Sequence, residues 1–156
     1  MPVHFQGSSS EVLALEAWVK LNRGLETVQS RLQQKLGEAG LTERQLGVLE
    51  ALLHLGPMCQ RELGKKLLRG DSNMTAVLET LERDGLVLRT RRVEDRRQVL
   101  VELTALGRDR IQSIFPSHVH EVEQAMSALT PEEQSILAKL CKKLGLANAK
   151  TDGGRP

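Results

Sequence analysis

The sequence predicts a mainly α chain with a small β-wing, and three observations point to that class. Apolar residues recur at helical spacing over most of the 156 residues. Two short helical patterns, about 60–67 and 72–84, are separated by a polar, Gly-containing break at Leu68-Arg69-Gly70-Asp71. Directly afterwards come two β-prone runs, Leu86-Val87-Leu88 and Val99-Leu100-Val101, around an arginine-rich hairpin. Helix, turn, helix and a basic two-stranded wing is a layout suited to double-stranded DNA. The long helical patterns on either side suit a platform that joins two copies.

Residues 1–10 are polar and are expected to be flexible. From Glu11 a helical pattern places Ala14, Trp18, Leu21, Leu25, Val28 and Leu32 at alternating steps of four and three. That is an a/d seam over about two and a half heptads, which either faces the chain's own core or packs partly on another chain. Gly37 and Gly40 bracket its end. Thr42-Glu-Arg-Gln45 is a capping box, with Leu41 and Leu46 placed as a hydrophobic staple. The helix it opens carries Leu49, Leu52 and Leu53 and stops at Gly56-Pro57. The next helix, about Gln60 to Leu67, buries Leu63 and Leu67 and turns Arg61, Lys65 and Lys66 outward, to phosphates or to solvent.

Asp71 or Ser72 is the expected N-cap of the following helix, and Gly85 its C-terminal stop. At 100° per residue, Met74, Val77, Leu78 and Leu81 form one apolar arc. Ser72, Thr75, Ala76, Glu79 and Arg83 lie opposite, with Asn73 and Thr80 on the flanks. Short polar side chains at a helix N-terminus suit entry into a major groove about 12 Å wide. The bland alternative is the wet side of an ordinary amphipathic helix. Residues 86–99 then hold five Arg against two acids, a net of +3. Such a tip can contact phosphates or enter a narrow minor groove, or can merely keep a sheet edge from aggregating.

After the wing, Thr104 caps a long helix whose apolar stripe is Ile111, Ile114, Phe115, Val119, Val122, Met126 and Leu129. Pro116 inside it predicts a kink or a break. Thr130-Pro-Glu-Glu133 is a second capping box. The last helix buries Ile136, Leu137, Leu140, Cys141 and Leu144, and Gly145 can end it. Residues 148–156 are expected to form a flexible tail.

The charge balance, 22 basic against 20 acidic residues, makes the positive potential local rather than global. Only three aromatic residues and no Tyr argue against readers that stack single-stranded bases. No apolar run approaches a bilayer span, and the opening residues lack the basic and apolar regions of a secretory signal, so the expected location is cytoplasmic with no membrane contact. Cys59 and Cys141 have no paired spacing, and His4, His54, His118 and His120 do not share a face, so no metal and no cofactor are expected. Cys59 begins a helix, where a thiolate is favoured, but a small buried or capping residue is the simpler role. No nucleophile–base pair or phosphate loop suggests an enzyme.

Leu68-Leu-Arg-Gly-Asp-Ser-Asn-Met-Thr75, Leu81-Glu-Arg-Asp-Gly-Leu-Val87, Asp95-Arg-Arg97 and Leu103-Thr-Ala-Leu-Gly107 resemble the successive signatures of MarR-type regulators, which are bacterial winged helix-turn-helix transcription factors. The resemblance covers roughly Leu13 to Leu146. It implies a homodimer on palindromic DNA, usually a repressor, often released by a small phenolic or oxidising ligand. Asp95 and Arg97 fall on the family's wing-tip Asp-x-Arg, where the arginine reaches the minor groove and the aspartate steadies the wing. Peroxide-sensing members carry a cysteine near the N-terminal helix beside tyrosines, and this chain has neither. The likeness is nearest to members that answer to phenols or quinones.

The sequence therefore predicts a single domain over 11–147. A winged helix-turn-helix lobe occupies about 42–104, and dimerisation helices occupy 11–38 and 105–146. Ser72, Asn73, Thr75, Ala76 and Thr80 are candidates for base edges. Arg69, Arg91, Arg92 and Arg96 are candidates for phosphates, and Arg97, steadied by Asp95, for the minor groove. Trp18, Leu21, Leu25, Ile136, Leu140 and Leu144 are candidates for a dimer interface. Trp18, Leu49, His54 and Phe115 are candidates for a site that takes a small aromatic effector. The competing reading is a winged-helix scaffold that binds proteins and not DNA, although such a scaffold has no need of five hairpin arginines.

Overall fold

The computed structural model describes residues 5–67, 73–91 and 98–149. Its element order is α1 (Ser9–Glu38), α2 (Glu43–Leu55), β1 (Met58–Cys59), α3 (Gln60–Leu67), α4 (Met74–Arg83), β2 (Val87–Arg91), β3 (Val99–Leu103), α5 (Ala105–Met126) and α6 (Pro131–Ala149). This is the mainly α winged helix-turn-helix order that the sequence predicts. The chain divides into two compact units, Met1–Val119 and His120–Pro156, with the boundary inside α5.

In the first unit, α1 starts two residues before Glu11. Ser8 caps it: its hydroxyl accepts from the Glu11 N–H, and the Glu11 carboxylate accepts from the Ser8 N–H at 2.8 Å. The Ser8–Glu11 capping box therefore orders residues that composition alone marks as loose. The hydrogen bonds from Ser8 hold the Glu11 carboxyl below the usual carboxylate range. At the other end, Gly40 (φ 71°) and Leu41 donate back to the carbonyls of Gly37 and Leu36. That is a Schellman stop, closed by the burial of Leu36 and Leu41. Leu36 is the only buried residue of α1.

The core collects Leu46, Val48, Leu49 and Leu52 of α2, Leu63 of α3, Met74, Leu78 and Leu81 of α4, and Ile111 of α5. Val87 and Val101 join from the sheet, and Ile114 and Phe115 pack against the cluster. The predicted capping box at Thr42 and Gln45 forms. The sheet has three strands rather than two, in the order β1-β3-β2. β1 pairs Met58 with Val101 and Cys59 with Leu100. A two-residue strand directly after Gly56-Pro57 is too short to show alternation, so its pairing is visible only once β3 is in place.

Of the kink or break expected at Pro116, the break does not occur: α5 continues through it to Met126. Proline costs one backbone donor there, and the helix is long enough to carry the loss. In the second unit, Thr130 and Glu133 exchange the expected capping bonds, at 2.8 and 3.3 Å. Gly145 does not end α6, which runs on to Ala149. None of α6's described residues is buried. Cys141, expected as a small core residue, is exposed for that reason.

One junction joins α4 to the wing and to α5. Gly85 (φ 74°) and Leu86 donate to the carbonyls of Glu82 and Leu81, at 2.9 Å each, and so end α4. Leu86 then accepts from the Thr104 N–H at 3.1 Å, and Thr104 Oγ1 donates to the Gly85 carbonyl at 2.7 Å. The same hydroxyl accepts from the Gly107 N–H at 2.9 Å, opening α5. A Cβ on residue 107 would stand 1.9 Å from the Leu86 carbonyl oxygen, so only glycine fits. Gly107→Ala should lower the unfolding free energy by about 3 kcal/mol, because backbone must move. Gly85→Ala, which only strains φ, should cost about 1 kcal/mol. Urea denaturation of both variants checks this order. Equal losses would show that the close approach does not constrain the fold.

Candidate nucleic-acid interface

α4 begins later than the sequence suggests. Asn73 is the N-cap, in place of Asp71 or Ser72, and its Oδ1 accepts from the Ala76 N–H at 3.2 Å. The cap satisfies one of the free donors of the first turn. One side of Asn73 is therefore occupied by its own helix. The apolar arc is as predicted, with Met74, Leu78 and Leu81 buried and Val77 half-buried. Thr75, Ala76, Glu79 and Arg83 are exposed on the other side. Thr80 is half-buried, and its hydroxyl turns back to donate to the Ala76 carbonyl at 3.0 Å. A hydroxyl bonded to its own helix has less to offer a base.

α3 stands against this face. Gln60 Nε2 donates to Thr75 Oγ1 at 3.0 Å and links the first turns of the two helices. Arg61, Lys65 and Lys66 are exposed, as their helical spacing predicts. An open cavity of about 930 Å³ lies beside them, lined among others by Cys59, Gln60, Arg61, Lys65, Met74 and Gln98. Cys59 Sγ lies 3.6 Å from Gln98 Oε1, and the Cys59 N–H donates to the Glu62 carboxylate at 3.1 Å. Cys59 thus sits as a capping residue between β1 and α3.

β2 pairs with β3 from Val87↔Leu103 to Arg91↔Val99. The arginines of this hairpin do not act alike. Arg91 is exposed. Arg89 is turned inward, and its Nη2 and Nε donate to the Glu82 carboxylate at 2.6 and 2.8 Å. The Arg89 N–H reaches the other oxygen of that carboxylate at 3.3 Å. Arg89 therefore belongs to an internal clamp, and the wing's free positive charge is smaller than the sequence count suggests. The guanidinium's hydrogen bond is the main cause that holds the Glu82 carboxyl below the usual carboxylate range, against the opposing desolvation. The clamp is charged at neutral pH. Its stability is present above the ordinary glutamate pKa and fades as pH falls through the depressed one. Neither Glu82 nor Gln60 stood out in the sequence. The only signal was a carboxylate seven residues before an arginine, across a turn.

Arg69, Ser72, Arg92, Asp95, Arg96 and Arg97 lie outside the described residues. Among the described ones, Thr75 and Ala76 are exposed on α4, which Gln60 ties to α3, and Arg61, Lys65 and Lys66 are exposed on α3 and Arg91 on the hairpin. The expected effector set is only partly brought together. His54 and Phe115 meet edge to face, with ring centroids 5.9 Å apart. Leu49 is fully buried in the core, whereas Trp18 is 60% exposed. None of the four is among the residues found to line the open cavity. No group of three or more potential metal ligands occurs among the described residues. No helix among them is long and apolar enough to cross a membrane.

Comparison with known proteins agrees with this architecture. The MarR family model matches residues 41–99, from two residues before α2 to the first residue of β3. The transcriptional regulator MhqR of Bacillus subtilis is 29% identical over 137 residues, covering 88% of this chain and 94% of that protein. YkoM, an uncharacterised helix-turn-helix regulator of the same organism, is 33% identical over 124 residues, covering 80% of each. Among solved structures, Bordetella bronchiseptica BpsR, whose DNA binding is regulated by 6-hydroxynicotinic acid, superposes with a TM-score of 0.76 at 25% identity. The match covers 83% of this chain and 98% of that one. Members of the matched family are DNA-binding transcription regulators rather than enzymes. The chain belongs to the MarR family of helix-turn-helix transcriptional regulators.

Proposed function

We propose that this regulator is a homodimeric repressor that binds a palindromic operator and leaves it when a small aromatic effector binds. The observation that carries the DNA-reading part is the exposed first turn of α4. Thr75 and Ala76 stand there, with Thr75 bonded to Gln60 of α3, and Arg61, Lys65 and Lys66 of α3 are exposed. Ser72, Asn73, Thr75, Ala76 and Thr80 read base edges in the major groove. Arg69, Arg91, Arg92 and Arg96 hold phosphates, and Arg97, steadied by Asp95, enters the minor groove. Thr75→Ala should weaken binding to the selected operator about tenfold and binding to random duplex hardly at all. Arg91→Ala should weaken both alike and lower the slope of log affinity against log salt by about one. Fluorescence anisotropy at several salt concentrations separates the two patterns. A Thr75→Ala loss that is equal on both duplexes would remove Thr75 from base reading.

The platform reading divides the chain into the lobe over 42–104 and dimerisation helices over 11–38 and 105–146. Its support is apolar surface that the chain does not itself cover. Trp18 and Leu25 of α1 are 60% and 51% exposed, and Leu21 is half-buried. Ile136, Leu140 and Leu144 of α6 are each at least half exposed. Rows of this kind on helices ask for a partner, and two-fold pairing supplies one. A dimer also explains how a short reading helix attains useful specificity, since it reads two half-sites about 34 Å apart. Leu140→Glu together with Leu144→Glu should leave the lobe folded but yield monomer at micromolar concentration. Operator affinity should fall by about a hundredfold or more, since one half-site is lost. Sedimentation equilibrium with anisotropy tests both; a dimer that persists at full affinity would remove α6 from the platform.

The effector part rests on the His54–Phe115 ring pair and on the small aromatic acid that regulates BpsR. Hydroxylated aromatic acids and quinones should raise the melting temperature and release DNA. Phe115→Ala should abolish both responses while operator affinity without ligand is kept. A response that survives in Phe115→Ala would place the ligand elsewhere.

A further inference from the structure

We propose that Glu82 is a positioning residue for DNA binding: its clamp on Arg89 sets where the wing stands relative to the reading helix. The proposal rests on the assignment of α4 and the wing to the two grooves. Glu82 lies in the last turn of α4, one residue before Arg83 ends the helix. A negative charge there opposes the helix dipole, so helix stability alone would favour a cation. The carboxylate is instead engaged across the turn by β2, through both the guanidinium and the backbone N–H of Arg89.

The backbone bond is the telling one. β2 is an edge strand, paired only with β3. The Arg89 N–H donates to Glu82, so the carboxylate stands where another strand's carbonyl would be. A side-chain ion pair alone could swing with its flexible stems. A bond to the strand's own N–H fixes the strand. Arg89 is the middle residue of β2, opposite Val101. The α4–β2 turn at Gly85 and Leu86 anchors only the base of the strand. The Glu82 contact is a second anchor farther out. Arg91 follows two residues later on the same face, about 6.6 Å beyond, and the sequence continues into Arg92, Arg96 and Arg97. β3, paired with β1 at Val101 and Leu100, holds the ribbon from one side, and Glu82 holds it from the β2 side at the same level, so losing Glu82 leaves that edge free to shift.

The clamp is a modest contributor to stability, since half-exposed ion pairs rarely add much. Its consequence is coupling: the wing's contacts depend on Glu82, although Glu82 touches no DNA. Four chains test this by anisotropy on an operator selected from a randomised duplex pool. They are the wild type, Glu82→Ala, Arg91→Ala/Arg97→Ala, and the combination of all three changes. In the wild-type background, removing the wing arginines should cost about a hundredfold in affinity and lower the salt slope by about two. In the Glu82→Ala background the same removal should cost less than about fivefold, because the wing is already misplaced. Circular dichroism should report the same helix content in all four.

An unchanged hundredfold loss in the Glu82→Ala background would leave the wing in the interface and overturn the role of Glu82. Wing arginines whose removal costs nothing even in the wild type would instead overturn the groove assignment, and the proposal with it. Arg89→Met, which keeps the stem and removes the guanidinium, serves as the second variant. It should show the same reduced dependence on the wing arginines. If Glu82→Ala fails to fold, the outcome in Arg89→Met decides.

Discussion

Leu86 is a single residue on which four elements depend. Its N–H closes α4, its carbonyl receives Thr104 at the exit of β3, and that same carbonyl leaves no room for a Cβ at position 107. The end of α4, the base of the wing and the start of α5 are therefore defined against one another over a few ångströms. α4 is ten residues long and would be marginal alone. The β2–β3 ribbon would twist freely without a third strand and a helix to lie on. The junction converts these weak elements into one rigid corner, and the Glu82–Arg89 clamp extends that corner along the strand.

That rigidity bears on how a weakly charged protein can bind a polyanion. With a net charge of only +2, long-range attraction is slight. Affinity must come from cations placed at phosphate spacing, and placement requires a stiff frame. The frame is stiff where it is described: α3 is fastened to α4 through Gln60 and Thr75, and α4 to β2 through Glu82 and Arg89. Arg110 of α5 also donates to the Ala39 carbonyl at the end of α1. A change in the direction of α1 or α5 would therefore be felt at the corner that carries α4.

Much of this was legible in the sequence because it depends on local chemistry. Capping boxes at Thr42 and Thr130, the stop at Gly85 and the periodicity of α2 to α5 each involve residues within a few positions of one another. The shortfalls have a common physical cause. β1 exists only because β3 lies beside it, and the Arg89 side chain turns inward only because Glu82 faces it. Leu49, a candidate ligand residue by its position on α2, proves to be core, in the buried cluster that α2 shares with α4 and α5. The Ser8–Glu11 capping box was local and readable, and was hidden by the loose composition around it. The helix at Gly145 continues because glycine permits a stop without compelling one.

The heptad row on α1 illustrates the limit from the other side. Periodicity establishes that Trp18, Leu21 and Leu25 share a face, but not what covers them. Two coverings were open, the chain's own core and a second chain. In the structure the core takes Leu36 and no other residue of α1. This thirty-residue helix has one buried leucine, leaves Trp18 and Leu25 exposed, and covers Leu21, Val28 and Leu32 only in part. Water is a poor neighbour for a tryptophan and several leucines in a row, at about 25 cal/mol for each Å² left exposed. The same residues that fail to serve the lobe thus argue for a second chain, and two-fold symmetry would give each reading helix its counterpart on the DNA.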